Sequence, residues 1–140
     1  MTADGIIKLL DLVRHPEGGW YRQTWAAAGE GRPSGTAIYY LLKEGERSHW
    51  HRVDAGEIWH YYAGSPLILR VSETDDGPEE RMVLGGNLAA GERPQIIVPK
   101  DWWQAAESTG GWTLVGCTVS PGFTFDGFEM APNGFDIPSA

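Results

Sequence analysis

Two histidines one residue apart, His49 and His51, stand just ahead of a carboxylate, Glu57. In an extended strand successive side chains alternate faces, so His49 and His51 are expected on one side and Trp50 and Arg52 on the other. Asp54, Ala55 and Gly56 read as a turn that brings Glu57 alongside the imidazoles. Two neutral imidazoles and a carboxylate suit a divalent transition metal. The same groups could instead give and take protons with no metal. A second stretch, Pro99 to Gln104, offers Gln104 as a fourth group. The metal set, if an ion is bound, is therefore His49, His51, Glu57 and Gln104, with zinc, iron, nickel or manganese as the ion. A glutamine amide is a poor ligand for zinc or iron, so the cofactor is one such metal or none.

Other residues are candidates for the walls of the same site. If Glu57 faces inward, Trp59 and Tyr61 do so by alternation, as pocket walls or as plain core, and His60 faces outward. Arg22 could bind an anionic group through its planar fork or make a surface salt bridge. Tyr39 and Tyr61 could supply a proton, though a hydrogen-bonded core role suits Tyr39 equally. Cys117, the only cysteine, allows no intrachain disulfide. Its apolar surroundings suit a small buried side chain better than a reactive thiol. Gly18 and Gly19 read as a turn, since a lone glycine pair is weak evidence for a phosphate loop.

These groups must be held by strands. Ile6, Ile7, Leu9, Leu10 and Val13 fall on one helical face, which predicts a helix over about 3–13, capped by Thr2 or Asp4. His15, Pro16, Gly18 and Gly19 end it. Everything after reads as strand and turn: 20–25, 36–42, 47–53, 57–63, 67–72, 80–84, 95–98, 103–107 and 112–120. Short strands with turns between them predict an all-β sandwich or barrel over about 20–130, within one domain spanning 1–140.

Composition narrows the partners. A net charge of -8 with eleven scattered basic residues argues against nucleic acid, whose phosphates need clustered Lys and Arg. No apolar run approaches the ~20 residues that span a bilayer, and Met1 to Gly5 has no basic leader, so a cytoplasmic protein with no membrane partner is expected. The 19 glycines and 9 prolines suit many tight turns, and seven tryptophans suit cores, pockets and interfaces.

The two site stretches resemble the paired motifs of the cupin superfamily: HxH, a short gap, a glutamate, six residues and a glycine, then PxG, two residues and a histidine. Here Asp101 stands at the glycine, where left-handed geometry is needed and aspartate tolerates it. Gln104 stands at the histidine. The resemblance narrows to the small cupin-5 family on His15 to Arg22, Ser48 to Arg52 with Glu57 to His60, Val98 to Gln104, and Val119 to Phe128. It implies an antiparallel jelly-roll barrel (a double-stranded β-helix), a homodimer, and likeness in fold to dTDP-sugar epimerases.

Three functions follow. In the first, an epimerase- or isomerase-like enzyme acts on a small polar or sugar-like metabolite, with His51 and Glu57 catalytic and Arg22, Tyr39, Trp59, Tyr61 and Gln104 around the substrate. In the second, a metal-dependent, oxygenase-like enzyme uses the metal set above. In the third, the barrel holds a small ligand and catalyses nothing.

Overall fold

The computed structural model describes residues 1–139. Thr2 caps the helix α1 (Ala3–Leu10) by accepting from the Gly5 amide at 3.0 Å, and Asp11 ends it in the left-handed region at φ 57. The helix is therefore shorter than its apolar pattern suggests. Val13 leaves it for a two-residue strand, β1 (Val13–Arg14).

Ten further strands follow: β2 (Trp20–Ala26), β3 (Thr36–Lys43), β4 (Arg47–Val53), β5 (Gly56–Gly64), β6 (Leu67–Ser72), β7 (Glu80–Leu84), β8 (Gln95–Val98), β9 (Trp103–Ser108), β10 (Trp112–Ser120) and β11 (Phe128–Met130). They form two antiparallel sheets in the orders β1-β2-β3-β10-β5-β8 and β11-β4-β9-β6-β7. Consecutive strands β4 and β5 lie in opposite sheets, as a jelly roll requires. Asp101 adopts φ 67 in the turn before β9, the conformation its place in the motif demands.

The main core lies between the sheets. Tyr40, Leu42, Trp59 and Val115 from one sheet meet Leu67, Leu69 and Val71 from the other, all of them buried. The outer faces are covered in part. α1 lays Ile6 against Leu41 on the six-stranded sheet. The C-terminal segment lays Ala131, Phe135 and Ile137 over Trp50 and Trp103 on the five-stranded sheet. Among the described residues no helix is long and apolar enough to cross a membrane.

Candidate functional site

One end of the barrel holds a cavity of about 210 Å³. His51 and Val53 of β4, Glu57 of β5, and Cys117 and Val119 of β10 form its walls, and His15 and Glu17 enter from the loop between β1 and β2. Tyr21, Phe123 and Phe125 are among the aromatics of its lining.

β4 does not alternate through the site. Ser48 pairs with Ala106 and His51 with Gln104, so β4 carries one residue more than β9 between these two pairs. This bulge resets the phase of the strand. Ser48 and His51 both turn toward the cavity, where each meets Glu17. His49 is turned away, its Nε2 lying 3.0 Å from the Pro132 carbonyl of the C-terminal segment. The expectation that His49 and His51 share a face is thus corrected by one inserted residue.

His51 is 2 % exposed. Its Nδ1–H donates to the His49 carbonyl at 2.7 Å, the arrangement that leaves the Nε2 lone pair facing Glu17 Oε2 at 3.4 Å. Burial lowers the affinity of His51 for a second proton, and a nearby Glu57 charge only partly opposes this. The ring is therefore neutral at pH 7. His15 is pushed down to about 3 by burial and by the neighbouring His51. Its Nδ1 accepts from the Glu17 backbone N–H at 3.1 Å and lies 3.3 Å from Glu17 Oε1.

The carboxyls move the other way. Burial pushes Glu17 up to about 8, against hydrogen bonds from Ser48 and Tyr40 that favour its charged form. Burial pushes Glu57 up to about 7; His51 opposes the rise and Glu17 adds to it. Near pH 7 Glu17 is mostly protonated and Glu57 is close to half ionised. Cys117, the buried residue expected, has its thiol held well above its usual range by burial and by Glu57.

Gln104 does not reach the cavity. It is 1 % exposed, donates from Nε2 to Glu57 Oε1 at 2.9 Å and accepts from Trp59 Nε1 at 2.7 Å. Trp59 lies below the cavity in the packed core. Gln104 and Trp59 therefore position Glu57 from behind instead of lining the site.

Three other candidates lie elsewhere. Arg22 projects to the surface and pairs with Asp11 at 2.9 Å, because Tyr21 and Gln23 are the β2 residues that face inward. Tyr39 lies on the outer face with α1, and its neighbour Tyr40 is the interior one. Tyr61 precedes a second irregularity, in the pairing of β5 with β10, and its hydroxyl donates to the Gly64 carbonyl at the closed end. His60 faces outward, with Nε2 2.9 Å from the Thr118 hydroxyl.

The metal set fails on the same geometry. His49 is turned to Pro132, and the Gln104 oxygen is taken by Trp59. Among the described residues no three His, Cys, Asp or Glu side chains are placed to hold a metal ion.

His15 and Glu17 stand with Glu57 around His51, and both come from the segment that reads in sequence as a helix stop. The signal is the pair of glycines beside them. Gly18 and Gly19 have φ of 106 and 76, and a Cβ on Gly18 would collide with the Arg47 carbonyl. That close approach locks the loop against β4, where the Glu17 carbonyl accepts from the His49 amide at 2.8 Å.

Comparison with known proteins agrees with this architecture. Two solved structures share both fold and sequence. A protein from Shewanella oneidensis is 43% identical, with a TM-score of 0.88, covering 94% of this chain and 85% of that one. A hypothetical protein from Leishmania major is 32% identical, with a TM-score of 0.87, covering 96% and 90%. A variant of oxalate decarboxylase from Bacillus subtilis has a TM-score of 0.66 at 12% identity, covering 84% of this chain but 29% of that enzyme, a likeness of fold alone. A search of the curated proteins found no match. Residues 4–131 match the family described as Cupin superfamily (DUF985), and the chain belongs to that family.

Proposed function

We propose that the chain is a cupin enzyme that moves protons on a small molecule inside the cavity, in the manner of an isomerase or epimerase, without a metal. The observation that carries this reading is a neutral imidazole flanked by two buried carboxyls, both raised toward neutral pH. General acids and bases work best when their pKa lies near the operating pH, and environments that push titratable groups in different directions mark acid and base roles. Glu57, on β5, takes a proton in its ionised form. Glu17, held protonated by burial beside the His51 lone pair, returns one from its own carboxyl, and proton exchange with solvent restores both carboxyls. These groups come from different walls, since His51 belongs to the five-stranded sheet and Glu57 to the six-stranded one. A substrate held between them would lose a proton beside a carbonyl on one side and regain it on another, which is the requirement for epimerisation. Gln104 keeps Glu57 in place by donating to Oε1.

The test is proton exchange. A panel of small ketones and aldehydes is incubated with the protein in deuterium oxide, and loss of α-proton signals is followed by NMR. Exchange is expected to peak near neutral pH and to vanish in Glu57→Gln and in His51→Ala. No exchange from any compound, with both carboxyls titrating near their ordinary value by carbon-13 NMR, sinks the proposal.

A further inference from the structure

We infer that the molecule accepted by this cavity is a small organic cation, an amine on an apolar body, and not an anion such as a carboxylate or a sugar phosphate. The inference rests on the proposed proton-transfer site and names its substrate class.

The lining contains two carboxyls, two imidazoles, a thiol, the neutral polar side chains of Gln23 and Thr36, and apolar and aromatic side chains, and no Lys or Arg. Arg22, the one cation expected at the site, is outside and paired with Asp11. Arg32 approaches the rim, donating to the Gly122 carbonyl at 2.7 Å, but both of its terminal nitrogens are held by Asp54. An anionic ligand would enter with no cationic partner and would face Glu57, a repulsion made costly by burial. A cation meets the opposite situation, with Glu57 and Glu17 at the inner wall and aromatic rings on the way in. Phe123 and Phe125 of the lining stand edge to face, with centroids 5.0 Å apart. Aromatic faces attract cations at such a mouth.

The same charge would serve the chemistry. Glu57 faces His51, Glu17, Gln104 and Cys117, and Glu17 faces His15, His51, Ser48 and Tyr40. None of these is a fixed cation, so only hydrogen bonds and the neighbouring imidazole oppose the burial that raises both carboxyls. A bound ammonium would do so, shifting Glu57 further toward the ionised state that accepts a proton when the ligand is present.

Three probes of one shape separate the possibilities: benzylamine, benzyl alcohol and benzoate, titrated calorimetrically at pH 6, 7 and 8. Benzylamine is expected to bind at least about tenfold tighter than benzyl alcohol at pH 7, with benzoate weaker than both. Its affinity should rise from pH 6 to pH 8, with proton release seen as a buffer-dependent heat. Glu57→Gln should bring the amine down to the level of the alcohol, and Glu17→Gln, whose melting temperature shows that it folds, should remove part of the pH dependence. Benzoate binding as tightly as the amine overturns the inference. Equal binding of all three probes, or none, while the carboxyls titrate near neutrality overturns the ligand class and leaves the proton-transfer site standing. No binding together with carboxyls titrating near their ordinary value removes both.

Discussion

The barrel interior has two ends built by the same strands. On β3, Thr36 and Ile38 line the cavity and Tyr40 and Leu42 pack into the core. On β5 the change falls between Glu57 and Trp59, and on β10 between Cys117 and Val115. A step of two residues keeps a side chain on the same face and moves it from the open end to the closed one. Alternation therefore reports that a residue faces inward, and says nothing of how deep it sits. The ends differ in chemistry as well. The closed end is aliphatic and aromatic, while the open end buries two imidazoles, two carboxyls and a thiol whose charged forms are all disfavoured by burial. Such groups make poor core and serviceable acid–base machinery.

Gln104 joins the two ends, holding Glu57 with its amide N–H and Trp59 with its carbonyl. Gln104→Leu, similar in volume, should leave the buried Trp59 N–H without a partner and take one hydrogen bond from Glu57, at about 1–3 kcal/mol for the orphaned group. Urea unfolding at pH 7 measures this. Loss of the amide donor should also raise Glu57 further, since that hydrogen bond favours its ionised form. A variant as stable as the wild type would mean that the two ends are held independently.

The second difference appears in pH. Glu17 and Glu57 are raised above 4.5, so the folded protein keeps protons that the unfolded chain has released. Their contribution is complete below about pH 4.5 and is lost as pH rises through 7 and 8. His15 and His51 are lowered from 6.5, which weakens the fold only as pH falls below that value. Between pH 6.5 and 8 the carboxyls act alone, and stability should fall by up to about 1.4 kcal/mol per pH unit for each. Glu17→Gln keeps the neutral shape and removes its share of the slope. The variant should melt above the wild type at pH 8.5, by less at pH 6, and converge on it only near pH 4.5 and below, read by thermal denaturation. A wild-type melting temperature flat from pH 6.5 to 8.5 would place both carboxyls in water.

Most of the strands were legible in the sequence. Residues 47–53, 67–72, 80–84, 95–98 and 112–120 are strands over the lengths that alternation and turn residues predict. β1 and β11, of two and three residues, are too short to carry a period. The site was half legible. His51 and Glu57 face the cavity, Gln104 and Trp59 stand behind it, and Arg22, Tyr39, Tyr61 and His49 do not reach it. The losses have two causes. A bulge leaves no mark in a hydrophobic pattern, because one inserted residue exchanges two faces without changing composition. Glu17 and His15 belong to a loop, and a loop residue reaches a site by tertiary closure, for which periodicity offers no sign. For Arg22 and Tyr39 alternation was sound and only its phase was open: Tyr21 and Tyr40 are the inward neighbours.

The smallest predicted effect isolates that bulge. His49 and His51 are the same residue type, two positions apart, on one strand, and the structure gives them opposite surroundings. His49→Ala removes one hydrogen bond to the Pro132 carbonyl from a partly exposed ring, which should cost about 0.5–1 kcal/mol. The loss falls on the attachment of the C-terminal segment over Trp50, so it should show as faster amide exchange at Ala131, whose N–H donates to the Trp50 carbonyl at 2.9 Å. Benzylamine binding should not change, because no His49 atom lines the cavity. His51→Ala should do the reverse: it deprives Glu17 of the lone pair facing it and removes a wall of the cavity, so binding falls while exchange at Ala131 stays as it was. Had β4 alternated regularly, the two substitutions would weaken binding together, and equal losses from both would show that the imidazoles share one face after all.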